Sequence, residues 1–184
     1  LGGFAALNRM GDRESLERSI LALKDMLRYT LDHESIATVN DELVFITKYL
    51  ELQKMRFQHR LKWEFSVDPD LRSMKIPKLI IQPLVENAII HGIEPTGETG
   101  TILIDIKKTI DETGTWGLIA IEDTGIGFTL LMMKKGVGLS NVERRLHLCY
   151  SNQSEHRKAG LRILSEPGQG CRIELKVPLE LKSV

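Results

Sequence analysis

Cysteine is scarce in this chain: Cys149 and Cys171 are the only two among 184 residues. Two thiols make no disulfide framework, so the fold must rest on an apolar core, and both are expected to be reduced and buried. A charge excess of either sign is also missing. Twenty-five Lys and Arg balance 25 Asp and Glu, which leaves no basic surface of the kind that neutralises nucleic-acid phosphates, so nucleic acid is not an expected partner. No apolar run approaches the ~20 residues needed to span a bilayer, and no signal-peptide pattern opens the sequence. Beginning at Leu1, the chain reads as a fragment cut from a cytoplasmic region, with any membrane anchor expected outside it. The strand–GxxxxGK[ST]–helix signature of a P-loop is absent. What is present, 42% hydrophobic and 27% charged residues, is the make-up of a folded globular protein. Its length suits one domain with a helical extension, or two small domains.

Residues 12–31 predict a helix, because Leu16, Ile20, Leu23, Leu27 and Leu31 recur at spacings of three and four and share a stripe. A second helix is predicted from about Asp41 to Leu61, with Thr38 and Asp41 as a capping box and Leu43, Ile46, Leu50 and Phe57 as its stripe. Polar residues 32–40 join the two. Such a helical hairpin leaves an apolar stripe to cover, either by self-association into a four-helix bundle or by packing on the domain C-terminal to it. From Lys62 the periodicity changes. Trp63, Phe65 and Val67 alternate with polar residues as in a half-buried strand. Pro77 to His91 predicts a mostly apolar helix opened by proline. Residues 101–108 and 115–122 predict strands, 137–150 a helix, and 161–165 with 171–177 a closing hairpin around Pro167-Gly168-Gln169-Gly170. The expected fold is an α/β two-layer sandwich, a mixed and mostly antiparallel sheet with helices on one face, preceded by an α-helical hairpin. The expected domains are 1–61 and 62–184.

Three segments could carry chemistry. In Gln82-Pro83-Leu84-Val85-Glu86-Asn87-Ala88-Ile89-Ile90-His91-Gly92, polar Glu86, Asn87 and His91 interrupt an apolar helix. Asn87 and His91 are four apart and share a face. An Asn oxygen is a hard ligand suited to Mg2+, although a buried Asn satisfied by its neighbours reads the same way. Asp123-Thr124-Gly125-Ile126-Gly127 comes straight after a strand, where glycines admit a ligand close to the backbone, or simply make a turn. Gly136-Val137-Gly138-Leu139-Ser140-Asn141 opens a helix, and helix N-termini bind phosphate. Each segment alone is a weak signal; the ordered set is a strong one.

That set resembles the nucleotide-binding boxes of the GHKL ATPases, the superfamily of gyrase, Hsp90-type chaperones, histidine kinases and MutL. QPLVENAIIHG, GVGLSNVERRL and the upstream LRYTL and YLELQKMRF segments narrow the resemblance to LytS-like sensor histidine kinases. The resemblance implies the Bergerat ATP-binding fold and an enzyme that moves the γ-phosphoryl of ATP to a histidine, for relay to a response regulator of LytTR type. It implies ATP and Mg2+ as cofactors and a homodimer formed through the N-terminal helices. Asn87 would ligate Mg2+, and His91 could reach a phosphate. Asp123 would hold the adenine amino group, with Gly125 and Gly127 lining its pocket. Gly136, Val137, Gly138 and Leu139 would close on the phosphates, and Gly168 and Gly170 would form the last glycine box. Glu86 would be an acid/base group, and Lys134 and Lys135 could screen the γ-phosphate. Aligning Phe4-Ala5-Ala6-Leu7-Asn8 with the family's FNALN puts Leu1 where the acceptor histidine stands. Either the acceptor lies upstream of residue 1, or the chain is degenerate there and serves as a nucleotide-binding interaction module.

Overall fold

A computed structural model describes residues 8–9, 11–128, 137–150 and 159–179. Helix α1, Arg13–Leu31, is capped by Asp12, whose side chain accepts the Ser15 N–H at 3.0 Å. Helix α2, Val39–Phe57, opens with the anticipated capping box: Thr38 Oγ1 accepts the Asp41 N–H, and Asp41 Oδ2 accepts the Thr38 N–H. Two three-residue strands, β1 Ile36–Thr38 and β3 Lys75–Pro77, pair antiparallel as a separate ribbon. The 32–40 link is therefore not only a polar connection. It ties the hairpin to the chain that leads into helix α3, Gln82–Asn87.

The main sheet has five strands in the order β2-β4-β5-β7-β6. They are β2 Leu61–Val67, β4 Gly100–Asp111, β5 Gly114–Asp123, β6 Gly160–Ser165 and β7 Cys171–Pro178. β2 pairs parallel to β4, and every other pairing is antiparallel. Alternation assigns the faces. Ile102, Ile104, Ile106, Ile119, Ile121, Ile173 and Leu175 point to the helices and are buried. Asp105, Glu122, Arg172 and Glu174 form ion pairs across the other face. The helical layer is α2, α3 Gln82–Asn87 and α4 Val137–Tyr150. This is the expected two-layer α/β sandwich with helices on one face.

Two local expectations needed correction. Pro77 does not open the helix; it ends β3, and Pro83 occupies the first turn of α3 instead. Both prolines suit a helix start, but residues 78–81 are committed elsewhere, with the Lys78 N–H bonded to Ser35 O at 2.9 Å and Leu79 at φ 57°. Nor does α3 continue as a regular helix to His91. From Ala88 to Ile93 it widens into a π-helix, a form that concentrates at functional sites.

The stripe of α2 (Leu43, Ile46, Leu50, Phe57) lies in the same hydrophobic core as the sheet, so packing is continuous across residue 61. The stripe of α1 behaves differently: Ile20, Leu23, Leu27 and Leu31 are all exposed.

Candidate nucleotide site

Helix α3 is anchored by Leu84, Val85, Ala88, Ile89 and Ile93, all buried against the sheet. That anchoring determines where its polar residues go. Asn87 is half-buried, and its amide nitrogen has no hydrogen-bond partner among the described residues. An unpaired buried amide costs about 1–3 kcal/mol, so its presence on this helix favours a ligand-binding role over a satisfied core residue. Glu86, the next residue back, points about 100° away around the helix. Its carboxylate accepts from Gln82 Nε2 at 2.8 Å, and it lies near Tyr49 of α2, whose hydroxyl is pushed up to about 12 by burial and then by Glu86. Glu86 and Asn87 thus serve different neighbours. His91 is exposed in the π-turn.

Asp123 ends β5 and is 5% exposed. Burial pushes its carboxyl up to about 6, partly offset by N–H donors from Gly125 and Cys171. The Gly125 bond is 2.8 Å. Around this carboxylate the backbone comes very close. A methyl group on Gly92 would collide with the Asp123 carboxylate, and one on Gly125 would collide with the Gly92 carbonyl. Gly92 stands in the π-turn of α3, so the widened turn is what brings the helix backbone against the strand-end acid. Gly170, at φ 77°, lies so near the Asp123 carbonyl that no side chain fits.

The two glycine loops are stitched together by hydrogen bonds. Gly168 N–H donates to Ile126 O at 2.6 Å, and Ile126 N–H to Gly92 O at 3.1 Å. Ser165 Oγ accepts the Phe128 N–H at 2.9 Å and donates to Gly170 O at 2.9 Å. Gly127, at φ 58°, packs on the Glu166 carbonyl. Asp123, Gly125, Gly127, Gly168 and Gly170 therefore converge. At the start of α4, a methyl on Gly138 would stand 4.0 Å from Asn87 Nδ2 and 3.8 Å from Pro83 Cβ, so this helix start faces Asn87. Leu139 is buried in the core and packs there. Lys134, Lys135 and Gly136 lie outside the described residues, as does the side chain of Val137.

Two participants escaped the sequence reading. Gly92 was visible only as the end of a helix, since the close approach to Asp123 depends on the π-turn. Ser165 carried no signal, because a strand-end serine acquires meaning only from the loops it meets. Cys171 stands opposite Asp123 in the β5–β7 register, its thiol pushed up to about 11 by burial and then by that carboxylate.

The arrangement combines a buried acceptor at a strand end, glycine backbones packed closely around it, a helix N-terminus and an amide without a partner among the described residues. An exocyclic amine can bond the acid, and phosphates suit the helix end. The side-chain oxygen of Asn87 is a hard ligand of the kind a magnesium ion takes, and its amide nitrogen, without a partner among the described residues, is a donor suited to a phosphate oxygen. Among the described residues no three His, Cys, Asp or Glu cluster for a metal, and a cation held mainly by substrate phosphates needs no such cluster.

Two family models match the chain. One, described as histidine kinase, matches residues 2–61. The other, described as histidine kinase-, DNA gyrase B-, and HSP90-like ATPase, matches residues 75–181. Sensor histidine kinase YesM of Bacillus subtilis is 30% identical over 94% of the chain and 29% of its own length. Sensor histidine kinase BtsS of Escherichia coli is 28% identical over 91% of the chain and 28% of its own length. The chain thus spans less than a third of these relatives. The histidine kinase domain of a blue-light activated kinase from Erythrobacter litoralis shares the fold, with TM-score 0.57 at 16% identity over 90% of this chain and 75% of that one.

Proposed function

This chain belongs to the histidine kinase-, DNA gyrase B- and HSP90-like ATPases, and from that premise we propose that it is the ATP-binding part of a LytS-like sensor histidine kinase. In this reading it binds Mg-ATP and passes the γ-phosphoryl to a histidine, from which a response regulator, expected to be of LytTR type, takes it. The observation that supports this most is the buried Asp123 carboxylate, around which the backbones of Gly92, Gly125 and Gly170 pack too closely for any side chain.

Asp123 accepts a hydrogen bond from the adenine amino group. Gly125 and Gly127 let the purine lie against the backbone. Asn87 would hold Mg2+, which when bound neutralises phosphate charge. The N–H groups opening α4, around Val137 and Gly138, receive the phosphates. His91, exposed and four residues beyond Asn87, would reach for a phosphate oxygen. Glu86, whose carboxylate accepts from Gln82 within the same helix, would be the acid/base group. A neutral imidazole nitrogen of the acceptor histidine then forms the bond to the γ-phosphorus as the bond to the bridging oxygen breaks, leaving ADP. Alignment and charge neutralisation carry most of the rate. A homodimer through the N-terminal helices brings acceptor and pocket together, and the exposed α1 stripe suits that contact. A membrane sensor would lie outside this chain.

γ-Labelled ATP tests the reading on the full-length protein. A label lost in acid and kept in base is the expected result. Bound ATP without any label would leave the domain as a nucleotide-binding interaction module, and an acid-stable label would indicate a serine kinase.

A further inference from the structure

Glu42 is fully buried in α2, far along the chain from every glycine box. Its Oε1 accepts the Tyr29 hydroxyl of α1 at 2.7 Å and the Leu79 N–H at 2.7 Å, and its Oε2 accepts the Ile81 N–H at 3.3 Å. Burial pushes the carboxyl above its ordinary range, and these donors pull it back. All of its partners are donors, which suits an acceptor-only carboxylate.

The segment it grips is unusual. Leu79 holds φ 57° without being glycine, a conformation that costs about 1–3 kcal/mol and persists only where surroundings over-determine it. Here the surroundings come from three directions. Lys78 N–H bonds Ser35 O at 2.9 Å in the hairpin link. Lys78 is 4% exposed, and its Nζ donates to Asp32 O at 3.2 Å and lies 4.5 Å from the Tyr29 ring centroid. Arg145 of α4 donates to Leu79 O at 3.5 Å. Ile81, whose N–H bonds Glu42, is the residue immediately before α3, and α3 carries Asn87. One strained junction therefore touches the end of α1, the start of α3 and, through Arg145, helix α4.

We propose that the Glu42 carboxylate is a positioning residue through which the end of α1, by way of Tyr29, sets α3 and hence the nucleotide site. The inference rests on the nucleotide-binding reading above and adds a route by which hairpin position regulates that site. A displacement of α1 withdraws the Tyr29 hydroxyl and frees the carboxylate. The left-handed Leu79 then loses part of its restraint, and α3 shifts with Asn87 and Gly92.

Tyr29→Phe is the sharpest probe, because it removes one hydroxyl and keeps the ring that packs 5.1 Å from Phe45. In the whole chain, without nucleotide, amide hydrogen exchange at Leu79, Ile81 and 84–92 should quicken. With nucleotide, Mg-ATP affinity of the folded protein should fall about fivefold, the lower end of ordinary coupling between sites. Glu42→Gln should show the same pattern more strongly, and the double variant should bind no more weakly than Glu42→Gln alone. Tyr29→Phe with unchanged exchange in α3, or with a lower melting temperature and an unchanged affinity, overturns the proposal. So does strict additivity of the two substitutions. A parent chain that binds no nucleotide retires the functional reading instead, while the exchange arm still decides the role of Glu42.

Discussion

Helices α1 and α2 are both 19 residues long, both capped by a side chain and both striped with apolar residues. Yet α1 has no buried residue, while α2 buries eight. α2 packs over the sheet and belongs to the body of the domain. α1 leans on α2 through Met26 and Tyr29, the Lys48–Asp25 ion pair at 2.5 Å and the Ser19–Met55 contact, and leaves its stripe open. An amphipathic period shows that a helix has an apolar face; which surface that face meets is a separate matter. One helix is built into the body of the domain. The other is a lever resting on it.

The contrast breaks most visibly at the stripes. Leu50→Ala in α2 should destabilise the chain by about 2–5 kcal/mol, read from urea unfolding. Leu27→Ala in α1 should stay within about 0.5 kcal/mol under monomeric conditions. A cost above about 2 kcal/mol at Leu27 would mean that α1 is covered in solution, and the lever picture would go.

A smaller effect separates the domain's stability from its binding. Asp123→Asn should weaken Mg-ATP binding about tenfold or more, since it replaces a charged acceptor by a neutral one. In the parent, affinity should fall as pH drops through about 6, where Asp123 takes a proton. Stability runs the other way. The folded value lies above the ordinary 3.8, so the contribution of Asp123 is fully present below about pH 4 and lost as pH rises through about 6. Asp123→Asn should therefore match or exceed the parent's melting temperature at pH 8 while binding ATP worse. A variant that loses both together would place Asp123 in the scaffold rather than the site.

The smallest effect compares the caps. Thr38→Ala should cost about 1 kcal/mol of global stability, because α2 unfolds only with the domain. Asp12→Ala removes a similar bond, but the loss should appear as fraying of α1 in hydrogen exchange, with little change in the unfolding midpoint. Equal midpoint shifts would show the two helices to be one cooperative unit.

Much of this was legible from residue order. The Thr38–Asp41 capping box, the 137–150 helix and the long strands announce themselves through caps and periodicity. Asp123, Gly125, Gly127, Gly168 and Gly170 could be named before their meeting was seen, because each needs a residue type that few other roles demand. The strands β1 and β3 were not legible, since three residues carry no period. Pro77 and Pro83 are equally suited to start a helix, and only the grip on residues 78–81 decides between them. Glu42 reads as an exposed helix charge until Tyr29, Leu79 and Ile81 are seen around it.

By itself, the order of residues determined the elements, their faces and the chemical types available to a purine triphosphate, because propensity, periodicity and glycine's missing side chain act within a few neighbours. Only the tertiary structure decided that α1 keeps its stripe exposed, that a π-turn sets Gly92 against Asp123, and that Glu42 ties Tyr29 of α1 to the residues leading into α3. Those outcomes depend on which distant surfaces compete for the same contact, and no local pattern encodes the winner.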